Sequence, residues 1–408
     1  MQKSKVSTIV FAYNSFADPL FQNLVFQYIR ELSKDSEKEF HVVTFEQTEY
    51  LIPDNEKRVM QGHFKDNGLY WYPLDYAYGR VLLLNKFRNL VDAFRMVWKI
   101  KRKYQPRFIL SFGNVAAAFG ALLTKVFRFK SIIIQYEPHH LFLLELNRWS
   151  KNSLKYQVLA SLEEFARKKA DFIMTGTSHM IRDLKQKGTK AKMFRTPNAV
   201  DENLMKFDGV ERERIRKRLD IEGKDVFLYI GKLGELYYEE ELVEVCAALY
   251  NQNSNAAFLM ISGYDHGVLR SWFEKYGVPE AAYRLLNPVP HVEVPGYLSA
   301  AEMGMVAIPP TPAQKYRSPL KSADYLYCGL PYLICRGISE DDEYALNKKV
   351  GVVIEGYSEN QIKVHYTEIE DLLHTDKERL RQRCREVGLE YRSRERVNKT
   401  LIEILEQG

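Results

Sequence analysis

The sequence predicts an α/β protein built from two doubly wound, parallel-sheet domains. Short β-branched and aromatic runs alternate with longer helix-period segments along the whole chain, the pattern of parallel sheets covered by helices on both faces. The alternation is interrupted near Thr196-Pro197-Asn198 and starts afresh after residue 225. At 408 residues with 46% hydrophobic content, the chain also exceeds what one core accommodates and suits two domains.

Taken in order, the strand-like runs of the first half are 7–13, 41–45, 69–72, 108–112, 131–136, 172–175 and 192–195. Those of the second half are 226–230, 257–262, 284–286, 304–308, 332–335 and 351–354. The most membrane-like stretch, 108–123, is broken by Gly113-Asn114 and is shorter than the ~20 residues a spanning helix needs. It reads as a buried strand, a glycine turn and a buried helix. A charged helix over 211–219 stops at Gly223 before the second series begins. The last segment, 376–407, reads as helix with a weak point at Gly388. The expected division is 1–200, 201–388 and a terminal helix, 389–408, packing back on the first domain.

Charge is unevenly shared. Up to Arg195 there are 32 Lys and Arg against 18 Asp and Glu, and beyond it 27 against 35. A basic half attracts anionic partners. Its densest part, 86–107, places Leu90, Val91, Phe94, Trp98 and Ile100 at helical spacing among eight cations. Two readings stand: a helix packing that apolar face on its sheet with the cations in solvent, or contact with an anionic membrane surface. No nucleic-acid-binding module accompanies the charge, so no nucleic-acid partner is expected. Cys246, Cys328, Cys335 and Cys384 form no Cys-x-x-Cys pair, which argues against a disulfide framework or zinc ribbon and for a reducing compartment. The expectation is a soluble, cytoplasmic protein, with association at the inner face of a membrane as an option.

Two segments of the second half suit an anionic ligand. Gly231-Lys232-Leu233-Gly234 follows the strand 226–230 and precedes a helix over 239–250, so the backbone can approach a ligand beside a lysine. The stronger segment runs from Tyr316-Arg317-Ser318-Pro319-Leu320-Lys321 to Gly329-Leu330-Pro331. Ser318 is read as the N-cap, Pro319 as the first helical residue, Gly329 as the stop. The amides near Leu320 and the Lys321 ammonium would then form an anion site. Asp324, nearly one turn on, would share its face and accept hydrogen bonds from a vicinal diol. A capped helix with a simple ion pair is the alternative reading of the same residues. The run Glu340-Asp341-Asp342-Glu343 reads as a solvated helix start, and no metal site is expected.

The segment 318–331 resembles the donor-site signature of retaining, family-4-type glycosyltransferases with the GT-B fold, commonly Ser-Pro-x-Lys-x-x-Glu-Tyr-x-x-x-Gly-x-Pro. Residues 229–233 resemble their Gly-Arg/Lys-Leu phosphate loop. Pro197-Asn198-Ala199-Val200-Asp201 resembles the Pro-Asn-Gly-Val-Asp of the interdomain connection. Val294-Pro295-Gly296-Tyr297-Leu298 resembles the stretch before the donor-site strand, and 391–405 the crossover helix. The resemblance covers 226–408 and, more loosely, the first half. It implies two Rossmann-like domains facing a cleft, the first for acceptor and the second for donor.

The resemblance assigns Gly231, Lys232, Ser318, Leu320 and Lys321 to the donor diphosphate and Asp324 to the ribose. Gly263, Tyr264, Val289 and His291 would border the nucleobase, and Tyr316, Arg317, Asn14, Ser15 and Asn114 the donor sugar or cleft. Glu137 or His139, in the turn after the strand 131–136, would orient the acceptor hydroxyl or take its proton. The chain departs from the pattern at three places. Asp324 replaces glutamate, the earlier glutamate of the family's pair falls on Tyr316, and the lysine after the phosphate loop falls on Tyr237.

The implied reaction is retaining, metal-independent hexosyl transfer from a UDP- or GDP-sugar to an acceptor hydroxyl, carbohydrate or lipid-linked, in cell-surface polysaccharide or glycoconjugate biosynthesis. It needs no cofactor beyond the nucleotide-sugar co-substrate. A GT-B-fold epimerase and a non-catalytic sugar-nucleotide-binding or scaffold subunit are the competing readings.

Overall fold

The computed structural model describes residues 5–78, 82–135 and 137–407, with Leu82 and Leu83 by backbone alone; Tyr136, the last residue of one expected strand, lies outside them. The chain divides into two compact units, one running to Thr196 and resuming at Glu395, the other Pro197–Arg394.

The first unit holds a seven-stranded parallel sheet in the order β3-β2-β1-β4-β5-β6-β7. Its strands are β1 (Val6–Ala12), β2 (Lys38–Glu46), β3 (Leu69–Asp75), β4 (Phe108–Phe112), β5 (Lys130–Ile134), β6 (Phe172–Thr175) and β7 (Lys192–Arg195). Ile9, Phe11 and Ile109 are buried because β1 and β4 are central strands with both faces covered. Four helices of this unit bear on function: α1 (Leu82–Tyr104), α2 (Asn114–Phe127), α3 (His139–Glu145) and α4 (Leu154–Lys169). The expected strand, glycine turn and helix over 108–123 are β4, Gly113 and α2.

The second unit holds a six-stranded parallel sheet, β10-β9-β8-β11-β12-β13. Here the strands are β8 (Asp225–Ile230), β9 (Ala256–Ile261), β10 (Tyr283–Leu286), β11 (Met303–Val306), β12 (Tyr332–Cys335) and β13 (Gly351–Ile354). Its relevant helices are α5 (Glu240–Gln252), α6 (Leu320–Tyr327), α7 (Asp341–Asn347) and α8 (Lys377–Arg392); α9 (Arg394–Glu406) belongs to the first unit. Both sheets reverse strand order once, between β1 and β4 and between β8 and β11, and such a switch point opens a crevice at the carboxyl ends of its strands.

Position of α6 depends on Gly304 in β11. A Cβ there would lie 2.5 Å from the Tyr325 ring, so only glycine lets that ring lie flat on the strand, where the Tyr325 hydroxyl donates to the Met305 carbonyl at 3.2 Å.

Four expectations need correction. The long helix α1 buries Ala93, Val97 and Ile100, while Phe94 and Trp98, which the sheet-packing reading would bury, are exposed, because the buried stripe begins one residue earlier at Asn89. Only Glu343 of the acidic run is solvated: Glu340, Asp341 and Asp342 are buried, with Arg392 reaching Asp341 and the Gly337 amide donating to Asp342. Gly388 is not a weak point; it lies inside α8 and allows close approach to Leu326 and Tyr327 of α6. The break falls at Ser393, whose extended backbone pairs with Val200. Accordingly the divisions expected after 200 and 388 fall after 196 and 394. Asn198 and Val200 bond and pack within the second unit.

Candidate functional site

In the second unit the crevice between β8 and β11 is lined by the loop after β8 and the start of α6. Ile230 ends β8, and Gly231 follows with φ of +133°, a conformation that favours glycine. A Cβ at Gly231 would stand 2.6 Å from Lys321 Cε and 2.9 Å from its Nζ. Lys321 therefore reaches back from the first turn of α6 and lays its ammonium over the bare backbone of the loop. The same ammonium sits 3.6 Å from the centroid of the Tyr237 ring and 5.1 Å from that of Tyr229. Tyr237, at the position where the resembled family carries a lysine, thus supplies a π-face that holds a cation.

The start of α6 differs from expectation in a way that matters. Pro319, not Ser318, occupies the cap position, and no side chain caps the helix. Ser318 cannot do so because its hydroxyl oxygen accepts from the Asn198 amide at 3.1 Å and from Arg392. The Asn198 side chain donates to the Ser318 carbonyl at 2.7 Å. Arg392 is in turn paired with Asp341 at 2.6 Å, and Ser322 donates to the same carboxylate at 2.9 Å. The segment before α6 is thereby locked from behind, and the first-turn amides of Leu320 and Lys321 are left without a capping acceptor.

Asp324 lies one turn along α6, and its Oδ1 is buried without a hydrogen-bond partner. Burial raises its carboxyl to about 7, against the pull of Arg392 and Lys321. Burial likewise lowers the Lys321 ammonium to about 7, opposed by Asp324. An unsatisfied carboxylate oxygen and a cation that has lost most of its hydration are two groups that gain from an incoming ligand with both hydroxyls and negative charge.

Around this pair the remaining residues divide. Lys232 is exposed at the loop tip, and Tyr229 donates its hydroxyl to the Lys232 carbonyl. Gly263, after β9, approaches Pro288, after β10, with 3.5 Å between its would-be Cβ and Pro288 Cγ. Tyr264 rests against Trp272, with ring centroids 5.5 Å apart, and donates to Glu239 Oε1 at 2.9 Å. Val289 packs on the core edge and His291 is exposed. Tyr316 is buried, its ring beneath Lys315, and Arg317 is half-buried, its charge acting on Tyr237. Glu239 was not foreseen: its carboxylate lies against Gly234, and a charged residue opening a helix carries no ligand signal of its own.

In the first unit, Asn14 and Ser15 follow β1, Asn114 follows β4 and Glu137 follows β5, all at the carboxyl edge of the sheet. Ser15 was expected to face a ligand but is buried, its hydroxyl accepting from the Gln47 amide at 2.6 Å. Asn14 donates to Asp18 at 2.7 Å, and Asn114 to the Glu137 carbonyl at 3.3 Å. His139 opens α3 and stacks on Phe142 with ring centroids 5.2 Å apart.

The next residue carries a second imidazole. His140 Nδ1 lies 2.6 Å from Glu163 Oε2, and the His140 amide donates to Glu163 Oε1 at 3.2 Å. A carboxylate beside Nδ1 fixes the orientation of the ring and leaves Nε2 on the side away from it, the arrangement of an oriented imidazole. The His139-His140 doublet marked the place; only the fold, by bringing Glu163 of α4 alongside, distinguishes the two. Among the described residues no three His, Cys, Asp or Glu side chains gather as metal ligands.

No protein-family model matches this chain. No curated protein matches it in sequence. Solved structures do match in fold. HepE from Anabaena, solved with UDP, aligns with a TM-score of 0.73 and 14% identity over 98% of this chain and 100% of its own. Sucrose-phosphate synthase from Thermosynechococcus elongatus aligns with 0.71 and 14% over 98% of each chain. A glycosyltransferase from Rickettsia africae aligns with 0.72 and 10% over 99% of this chain and 98% of that one. The architecture, two parallel sheets with helices along the full chain, is the GT-B fold.

Proposed function

We propose that this protein is a glycosyltransferase that moves a sugar from a nucleotide-diphosphate sugar to an acceptor hydroxyl. The observation carrying this reading is the uncapped start of α6 at the β8/β11 switch point, with the Lys321 ammonium laid over Gly231. A diphosphate there meets the amides of Leu320 and Lys321, the Lys321 charge and, from the loop tip, Lys232. Asp324 accepts hydrogen bonds from the ribose diol. Gly263, Tyr264 and Val289 border the base, and UDP is the nucleotide of choice because HepE, of like fold, was solved with it.

The reaction then turns on charge. As the glycosidic C–O bond to the diphosphate breaks, negative charge grows on the leaving group, and the helix amides and Lys321 stabilise it where it develops. These fixed cations serve without a divalent ion. We read the transfer as retaining, with front-side attack by the acceptor, because the segment 318–331 resembles the donor-site signature of retaining enzymes. The acceptor side falls to the first unit, where Glu137, His139 and the Glu163-oriented His140 are the groups that could take the hydroxyl proton. The excess of Lys and Arg in this half suits an acceptor with anionic groups, such as a lipid-linked saccharide of cell-surface glycoconjugate synthesis.

Thermal stabilisation by a panel of nucleotides and nucleotide sugars tests the reading. A ligand at 100 times its Kd adds about 2.7 kcal/mol of stability. UDP and UDP-sugars are expected to raise the melting temperature, and a supplied acceptor to release UDP. Silence across the whole panel overturns the reading. Donor epimerised without acceptor identifies an epimerase, and binding without turnover a binding subunit.

A further inference from the structure

We infer that the outer face of α1 and α2 is a docking surface for a bilayer rich in anionic headgroups, a property independent of the chemistry proposed above. Helix α1 has two apolar stripes. One, through Ala93, Val97 and Ile100, is buried against the sheet. The other is in solvent: Leu84 and Phe87 are each 63% exposed, Phe94 40% and Trp98 45%. Their spacings of three, seven and four residues keep them on one side of the helix. The patch continues onto α2, where Leu122 and Val126 are exposed one turn apart, and the Phe94 and Phe127 rings, 5.0 Å apart, join the two helices. Two phenylalanines and a tryptophan left in water on one helix form a continuous apolar surface of the kind that marks an interaction site.

Charge identifies the occupant. Helix α1 carries seven Lys and Arg and a single acid, Asp92. Arg88, Arg95, Lys99 and Arg102 are exposed beside the aromatic stripe, and Lys125 and Arg128 flank it on α2. The Arg102 guanidinium lies 4.9 Å from the Trp98 ring centroid, so the cation is held at the edge of the apolar surface. Aromatic and aliphatic side chains bordered by cations on flexible stems match a membrane interface: rings enter the headgroup–acyl boundary while lysine and arginine stems rise to phosphate. Among the described residues no helix is long and apolar enough to cross a membrane, so α1 lies in the plane of the interface. A protein partner would need compensating acids across an unusually dense row of cations, and a nucleic acid would not reward burial of Leu84, Phe87 and Val126.

Cosedimentation of the full chain with phosphatidylcholine vesicles, with and without phosphatidylglycerol, tests the inference. Binding is expected only with phosphatidylglycerol and is expected to weaken with salt. The double variant Phe94→Ser/Trp98→Ser, confined to exposed positions, should bind on the order of tenfold or more weakly, because both rings lose their burial. In wild type, lipids brominated on the acyl chain should quench tryptophan fluorescence; Trp98→Phe should still bind but lose most of that quenching. Equal binding to neutral and anionic vesicles, no binding to either, or an unchanged double variant overturns the inference. So does a wild-type dimer that the double variant converts to monomer without any effect of vesicles, since the face would then belong to a second copy.

Discussion

Lys321 and Asp324 are each held near neutrality by burial, and each is expected to answer to pH. In the free protein burial lowers the Lys321 ammonium to about 7, so its charge is given up as pH rises through that range. A bound diphosphate raises that pKa by its opposite charge. The Lys321 contribution to UDP affinity is therefore present below pH 7 and falls as pH rises through 7, by up to about tenfold per unit until the pKa of the complex is passed, whereas Asp324, raised to about 7, offers a carboxylate to the ribose only above that pH. Titration calorimetry in buffers of different ionisation heat should show proton uptake at pH 8. A Lys321→Met variant should bind weakly and lose that uptake; uptake undiminished in the variant would place the proton elsewhere. For Asp324→Ala, loss of hydrogen bonds to a charged group corresponds to about 1.5–3 kcal/mol, or tenfold to hundredfold weaker donor binding, with acceptor binding less affected. Donor affinity unchanged in that variant would remove the ribose assignment. That both residues lie on one short helix was legible, because Ser318-Pro319-x-Lys321 and the stop at Gly329-x-Pro331 announce where it starts and ends. Illegible was the role of Ser318, which depends on Arg392, seventy-four residues away.

At the scale of elements, helix faces and close approaches decide what the strands alone do not. Each of the thirteen apolar runs is a strand, because continuous burial on both faces of a parallel sheet leaves a local signature in composition. Helix α1 shows the limit of periodicity. It has two apolar stripes, and choosing between them requires knowing that Ala93, not Phe94, meets the sheet. Gly304 is a second case, silent in the sequence and decisive for α6. Gly304→Ala drives a methyl into the Tyr325 ring within a packed core, and overpacking of this kind costs about 1–3 kcal/mol. Chemical denaturation should show the second unit weakened by that amount, together with poorer UDP binding as α6 moves off β11. A fully stable variant with normal UDP affinity would show that α6 is not placed by this contact.

For the molecule as a whole, the stability of the second unit rests in part on one fully buried ion pair. Arg392 and Asp341 are 1% and 0% exposed; Ser318 accepts from the guanidinium and Ser322 donates to the carboxylate. Asp341→Ala strands a guanidinium in the core and is expected to cost about 3–5 kcal/mol, whereas Asp341→Leu with Arg392→Met should recover most of it. With two compact units the unfolding curve has to be fitted with separate transitions, and the loss should appear in only one. By itself the sequence determined the two parallel sheets, the restart of the chain near residue 197 and the basic first half, since burial pattern, turn residues and charge are local quantities. The tertiary structure alone decided that the acidic residues 340–342 are buried, that Ser318 leaves the start of α6 uncapped, that Glu163 orients His140, and that Phe94 and Trp98 face water. Each of these depends on a partner distant in sequence, and no local pattern records which distant side chain will arrive to neutralise a charge, take a hydroxyl or cover a ring.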